Sequence, residues 1–381
     1  MNIIFFCLKD FYAVQGTTEA YYVHRFLTRR GHSVSAFLPA GASERRSNVH
    51  YIRRLPLLPT FLSYNVFVPF ALHLRAVRSV DAIYTYKGVF SPVFLLKFIF
   101  GKKWVCDFRT SPIAQEVEFR RFKGTLSWGR RLIYRVARLF YRISLKYCDL
   151  VVAISDEIRQ ELVEDYKVPM ENVYVQPLGV DLELFKPAHL ADEIDGELRL
   201  VYIGAIAPQR GLDTVLRAVN LLKGRVPLRL ILVGGGEQVS IQNLKILAER
   251  LGVSEQVDWV GYIPHDQIPR VLDTCHVALS PLPALQAYQV SSPAKVVEYL
   301  AMGKIVIATD IRAHQKLITD GENGLLIPSE DPASLAVAIE RIYSDRELRH
   351  RLTKNARQSV HAYGWDEMLP KLEERIQALL K

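Results

Sequence analysis

Short, continuous apolar runs alternate along the whole chain with longer stretches whose apolar residues recur every three or four positions. The short runs have the length and β-branched content of strands buried on both faces, and the longer stretches have helical period. That alternation predicts parallel α/β architecture. In the first half, strands are expected at Asn2–Leu8, Ser33–Leu38, Ala82–Tyr86, Trp104–Phe108 and Leu150–Ile154, with a loop and helix over Thr18–Arg30. A polar stretch, Lys186–Glu197, carries Pro187, Asp192, Glu193, Asp195 and Gly196 and reads as a linker. The pattern then restarts. Strands are expected at Leu198–Ile203, Leu228–Val233, Val257–Val260, His276–Ser280 and Ile305–Thr309, and helices at Leu212–Leu222, Ile241–Leu251, Ala294–Met302 and Pro332–Tyr343. At 381 residues the chain exceeds what one core usually serves. The expectation is two Rossmann-like, doubly wound domains facing a central cleft: residues 1–186, a linker at 187–197, and residues 198–364. The amphipathic segment 365–381 is expected to pack back onto the first domain.

Charge divides the two halves. The first 150 residues hold 24 Lys and Arg against 8 Asp and Glu, net +16, whereas the remaining 231 hold 25 against 32, net −7. The first half is therefore expected to face something anionic, with nucleic acid and anionic lipid as the broad candidates. Aromatic and basic residues are not interleaved on strands as single-strand nucleic-acid binding requires, so nucleic acid is the weaker of the two. Cys7, Cys106, Cys148 and Cys275 are scattered without metal-like spacing and read as small buried hydrophobes of a reducing compartment. The N-terminal run is too short for a signal peptide, and Lys97 interrupts the nearest approach to a membrane span, Val89–Phe100. The expectation is a cytoplasmic protein, peripheral on the inner face of the cell membrane.

Three segments carry candidate chemistry. In Val201–Gly211 a strand ends at Gly204, and Arg210 stands just before a helix, an arrangement suited to a pyrophosphate or simply a βα turn with a solvated arginine. In Ser291–Gly303, Ser292 is expected to cap a helix with Pro293 in its first turn. The Ala294 and Lys295 amides would then lie free for an anion, and Glu298 one turn on would accept from a ribose diol. The alternative is a capped helix with an exposed glutamate. The third segment is the first loop, where Gly16 and Thr17 would let backbone amides approach a phosphate. The Gly234–Gly236 run also follows a strand, as ordinary turn chemistry does.

These segments, taken in order, resemble glycosyltransferase family 4, retaining enzymes of the GT-B fold. The resemblance runs through Gly16–Glu19, Arg30–Val34, Val151–Ser155, Pro177–Asp181 and Phe185, then Arg210–Gly211, Leu232–Gly236, Val260–Ile263, Glu298–Gly303 and Asp320–Leu326. It implies a nucleotide-sugar donor as substrate, UDP-sugar favoured over GDP-sugar, and no cofactor. Arg210, Lys295 and Glu298 are its expected catalytic residues. Gly16, Thr17, Gly204, Tyr262, Ile263, Ser292, Pro293 and Ala294 are expected to bind the donor with them, Tyr262 and Ile263 at the nucleobase. Val290 stands where the family has a first glutamate, Ala205 where it has an arginine, and Leu178 where it has an asparagine. No histidine follows the fifth strand, and Asp107 and Arg109 are the candidates for the acceptor side. No Asp-x-Asp follows a strand to hold a metal, so fixed cations and helix amides are expected to carry the leaving group.

Arg131, Arg135, Arg138, Arg142 and Lys146 form a helical stripe, with Leu132, Val136, Leu139, Phe140 and Ile143 opposite and flanking. With Arg120, Arg121 and Lys123 upstream, that stripe suits anionic headgroups, or it is the solvated face of an ordinary helix. His24, His32, His265 and His314 read as isolated surface or turn residues. The resulting expectation is a metal-independent hexosyltransferase acting on a glycan or lipid-linked acceptor in cell-surface polysaccharide or glycolipid assembly. Its rivals are a sugar-nucleotide epimerase and a degenerate partner subunit without transferase activity.

Overall fold

The strands form where the apolar runs are purest. In a computed structural model, which describes residues 1–7, 19–39, 49–52, 79–86, 97–109, 128–188 and 192–381, the described strands fall into two sheets. β1 (Asn2–Cys7), β2 (Ser33–Pro39), β3 (Val49–Ile52), β4 (Ala82–Tyr86), β5 (Lys103–Phe108), β6 (Leu150–Ala153) and β7 (Val173–Val175) order as β3-β2-β1-β4-β5-β6-β7. β8 (Leu198–Ile203), β9 (Leu228–Val233), β10 (Val257–Gly261), β11 (Val277–Ser280), β12 (Ile305–Thr309) and β13 (Leu325–Ile327) order as β10-β9-β8-β11-β12-β13. All the described pairings are parallel. Each sheet is doubly wound, its order reversing beside its first strand, β1 or β8.

β8 shows why the second sheet is covered on both faces. Leu198, Leu200 and Tyr202 enter one core with Val215, Leu216 and Ile339, while Val201 and Ile203 enter another with Val296, Val297 and Leu300. The helices Leu212–Leu221 and Pro332–Ser344 thus supply the first core, and Ala294–Ala301 the second. In the first sheet Ile3 to Cys7 are all buried, the Phe5 and Tyr84 rings stack at 4.7 Å, and the Trp104 indole donates to the Thr85 hydroxyl at 2.9 Å.

The chain divides into Met1–Pro177 with Asp366–Lys381, and Leu178–Trp365. The boundary expected at 186 and the linker expected at 187–197 fall inside the second unit. Residues beyond 178 are tied there: Val180 N–H donates to the Tyr363 carbonyl at 2.9 Å, and Arg357 donates to the carbonyls of Leu182 and Phe185 at 2.9 and 2.6 Å. The polar stretch is itself held, since Arg349 donates to the Asp192 carbonyl and His350 bonds the Asp192 carboxylate. The helix Trp365–Leu380 belongs from Asp366 onward to the first unit. There Glu373 accepts from His32 at 2.6 Å and Arg30 at 3.2 Å, and Leu369, Leu372 and Ile376 are buried.

β3, β7 and β13 and the helix Arg346–Ser359 were not anticipated. Cys7, Cys106, Cys148 and Cys275 are free and buried. Among the described residues no helix is long and apolar enough to cross a membrane.

Candidate functional site

In the second unit the order of strands reverses between β8 and β11, so the loops leaving these two strands diverge at their carboxyl ends. Ligands bind doubly wound sheets at such a point. The loops after β8, β9 and β10 are laced together: Gly204 N–H donates to the Val233 carbonyl, Ile206 N–H to Gly235 and Gly234 N–H to Gly261, all at 2.8–2.9 Å. Such lacing needs bare backbone. A Cβ on Gly234, whose φ is +142°, would lie 1.8 Å from the Gly204 carbonyl oxygen. The glycine run after β9 therefore closes the loops against each other.

Two cations meet at the β8 turn from separate elements. Arg210 ends the short turn Pro208–Arg210, its guanidinium carbon 5.3 Å from the centre of the Tyr288 ring, which comes from the segment after β11. Lys295 reaches in from the start of the helix Ala294–Ala301. Its Nζ lies 4.3 Å from the Tyr202 ring centre and donates to the Tyr202 hydroxyl at 3.2 Å. Gly204, with φ +146°, admits it, since a Cβ there would stand 2.6 Å from Nζ. Tyr299 pins this helix to β8, its hydroxyl accepting from Ile203 N–H at 2.8 Å.

Neither cation has a carboxylate within ion-pair distance among the described residues, and Arg210 Nε is buried without a hydrogen-bond partner among them. The charge is thus uncompensated at contact range. Lys295 keeps part of its surface accessible, yet its ammonium is enclosed deeply enough that burial, with the Arg210 charge adding and Glu298 opposing, lowers its pKa from 10.5 to about 7. Burial raises the Tyr202 hydroxyl to about 12, so it stays a neutral donor and donates to the Ala205 carbonyl at 3.0 Å. Two such cations at one turn make it locally positive and suited to an anion.

Glu298, on the same helix, is bonded through Oε1 to His265 Nε2 at 2.7 Å. His265, expected as a surface or turn residue, does open the turn His265–Gln267 but is buried there, its ring 5.2 Å from that of Phe185. His314 is also buried, its Nδ1 donating to the Thr309 carbonyl at 2.7 Å and its Nε2 bonding the Ser280 hydroxyl at 3.0 Å. Burial holds the His314 pKa down at about 4.

The remaining expected residues fall as follows. Ser292 does not cap the helix. Its hydroxyl accepts from Leu178 N–H at 2.9 Å, Pro293 occupies the cap without a side-chain bond, and Ala294 N–H is taken by the Ser292 carbonyl at 3.1 Å. The close Pro–Ala turn satisfies locally what a free amide would have offered. Tyr262 is exposed and Ile263 leans on the second core. Gly16 and Thr17 lie outside the described residues. Asp107 and Arg109 are buried in the first unit and paired to each other through two contacts. Asp107 also accepts from the Tyr84 hydroxyl at 2.7 Å, and Arg109 donates to the Gln176 carbonyl at 2.6 Å. Both side chains are engaged in this inward-facing network.

The basic helix forms over Trp128–Tyr147, but its faces differ from the expected ones. Leu132 and Leu139 are exposed together with Trp128 at 79%, on the same side as Arg131 and Arg135. Phe98 and Ile99 are exposed as well, Phe98 against the Tyr147 ring at 5.3 Å. Arg120, Arg121 and Lys123 lie outside the described residues, as does nothing of the helix backbone itself.

The family model for glycosyl transferases group 1 matches residues 191–359, and that for glycosyltransferase family 4 matches residues 17–184. This chain belongs to that family. A D-inositol 3-phosphate glycosyltransferase of Nocardia farcinica is 28% identical over 244 residues, 61% of this chain and 53% of that one. The chain thus spans about half the length of that curated relative. Among solved structures, sucrose-phosphate synthase from Thermosynechococcus elongatus superposes with a TM-score of 0.79 at 21% identity, covering 99% of this chain and 98% of that one. HepE from Anabaena, in complex with UDP-glucose, gives 0.76 at 18%, covering 99% and 100%. At these identities the structures share the fold, GT-B. His265, Tyr202 and Tyr288 touch Glu298, Lys295 and Arg210 here, and sequence reasoning gave them no such part because these partners are remote in the chain.

Proposed function

We propose that the protein is a retaining glycosyltransferase that moves a hexosyl group from a nucleotide-sugar to an acceptor hydroxyl without a metal. The observation that carries this reading is the pair of uncompensated cations, Arg210 and Lys295, brought from two elements onto the Gly204 turn. In the reaction the bond between the sugar C1 and the diphosphate oxygen breaks, and the electron pair leaves with the phosphate. A guanidinium and an ammonium fixed beforehand stabilise that charge without reorganising. The acceptor oxygen bonds to C1 on the face the diphosphate leaves, and its proton passes to the departing phosphate oxygen. Glu298 accepts from the donor ribose hydroxyls. UDP-sugar is favoured over GDP-sugar, a choice supported by the related fold that holds UDP-glucose.

The acceptor is a glycan or lipid-linked intermediate of cell-surface polysaccharide or glycolipid assembly, met at an anionic membrane face. Exposed Trp128, Leu132 and Leu139 beside Arg131 and Arg135 support that surface, since apolar side chains enter the headgroup boundary while the arginines pair with phosphates. Flotation with anionic liposomes at low salt tests it, and protein left in the dense fraction overturns it.

Thermal shift and donor hydrolysis measured across UDP-, GDP- and ADP-sugars test the enzymatic reading. UDP is expected to give the largest shift, with slow release of free sugar from UDP-sugar. A protein that binds a nucleoside diphosphate and neither hydrolyses nor transfers from any donor is the degenerate partner subunit instead.

A further inference from the structure

We infer that His265 is a positioning residue that holds the Glu298 carboxylate for the ribose hydroxyls of a bound nucleoside diphosphate. The inference rests on the reading of Glu298 as the ribose acceptor. Glu298 has three side-chain torsions, and left to itself its carboxylate would sample several rotamers and have to be ordered at every binding event. Among the described residues its hydrogen-bond partner is His265 Nε2, at 2.7 Å. A carboxylate offers only lone pairs, so the hydrogen of this bond resides on Nε2. The bond uses Oε1 and leaves Oε2 available to a ligand.

The ring that makes this bond is fixed independently of Glu298. His265 opens the turn His265–Gln267 after β10, while Glu298 stands on the helix after β11, 33 residues away in sequence. His265 is 7% exposed and packs against Phe185, itself fully buried. Two rigid elements thus hold the two ends of one hydrogen bond.

The other ring nitrogen decides between a packing role and a positioning one. His265 Nδ1 is buried and has no hydrogen-bond partner among the described residues. His314 shows what a structural histidine of the same unit looks like, with both nitrogens bonded, to Thr309 and Ser280. Burying an unmet polar nitrogen opposes folding, and an apolar residue would fill the His265 site without that penalty. What the imidazole adds over an apolar ring is its donor to Glu298.

The experiment compares, by titration calorimetry on the full chain, the nucleoside diphosphate the wild type binds more tightly of UDP and GDP with its 2′,3′-dideoxy analogue. Wild type is expected to prefer the ribose form by about tenfold or more, the effect of a hydrogen bond to a charged group. His265→Phe, which fills the space without a donor, should lose most of that preference while binding the dideoxy analogue as wild type does. His265→Gln, whose amide nitrogen can donate to the same oxygen, should recover it. Unchanged binding of the dideoxy analogue also reports that the variant is folded. A His265→Phe protein that keeps the wild-type preference, or loses both ligands equally, overturns the positioning role alone. A wild type indifferent to the ribose hydroxyls overturns the reading of Glu298 and this inference with it.

Discussion

Replacing Lys295 with methionine should stabilise the protein and disable it, and the size of the stabilisation should depend on pH. The unfolded lysine holds its proton up to 10.5, whereas in the fold burial and Arg210 let it go at about 7. Between those values the unfolded chain carries the extra proton, so wild-type stability rises with pH across that window. Below pH 7 both states are protonated and the full penalty applies, ~5 kcal/mol at 1.36 kcal/mol per pKa unit. Because the side chain retains partial access to solvent, roughly half of that is the fairer figure, ~2–3 kcal/mol. Methionine has nearly the same length and no charge to bury. Lys295→Met should therefore melt about 5–10 °C higher than wild type at pH 6, at ~2–4 °C per kcal/mol for a unit of this size. The advantage should fall to about 1 kcal/mol by pH 9 and vanish near pH 10.5. The assay is denaturant and thermal unfolding from pH 6 to 9, following the transition that UDP shifts in wild type. The same variant should lose about two orders of magnitude in donor turnover. A Lys295→Met protein that melts lower than wild type at pH 6, or whose advantage does not shrink with pH, refutes the picture of an enclosed, uncompensated ammonium.

Arg210→Ala removes the second cation and should slow donor hydrolysis roughly a hundredfold, ~3 kcal/mol, with little change in melting temperature; full activity would contradict its assignment to the leaving group. Gly234→Ala places a Cβ 1.8 Å from the Gly204 carbonyl oxygen, a backbone atom that cannot swing away. It should destabilise the second unit by about 3 kcal/mol or more in urea unfolding, and wild-type stability would mean the two loops are not in contact. Glu373→Ala removes the acceptor shared by His32 and Arg30 under the C-terminal helix. A loss of ~2–3 kcal/mol in the first unit is expected, with UDP binding unchanged, and loss of UDP binding would argue against separate roles for the two units.

The strands read most clearly in the sequence are those whose apolar runs end at a clear turn signal. β8 and β9 were legible residue for residue because each is a six-residue run interrupted only by Arg199 or Arg229 and closed by glycine. β7 and β13 have three residues each, too few for any periodicity to emerge from the loops around them. The helix Arg346–Ser359 hid for the opposite reason. Its apolar stripe is only Leu348, Leu352 and Ala356, and the rest of the segment is charged or polar. Trp128–Tyr147 was legible as a helix but not in its facing, because period fixes which residues share a side and not which side meets solvent. At the site, Arg210 and Lys295 stood out as cations beside a glycine turn and a helix start. His265 did not, since a histidine between Pro264 and Asp266 looks like any turn residue until the fold brings Glu298 to it.

The absence of an arginine at Ala205, which the family pattern places there, acquires a different meaning once Lys295 is seen in space. Catalysis of this kind needs positive charge at a point, and the chain can supply it from any element that reaches that point. Lys295 does so from the helix after β11, with its Nζ against the very turn where Ala205 stands. The route requires Gly204 to be bare, Tyr202 to offer a ring and hydroxyl, and Tyr299 to hold the helix against β8. A chain that had merely lost an arginine through decay would have no reason to keep an enclosed lysine that destabilises its fold. On the proposed function, Lys295 brings to this turn from another element the positive charge that the resemblance places at position 205. A buried, uncompensated Lys295 favours an anion at this turn, and donor hydrolysis then separates a transferase from a subunit that only binds the diphosphate.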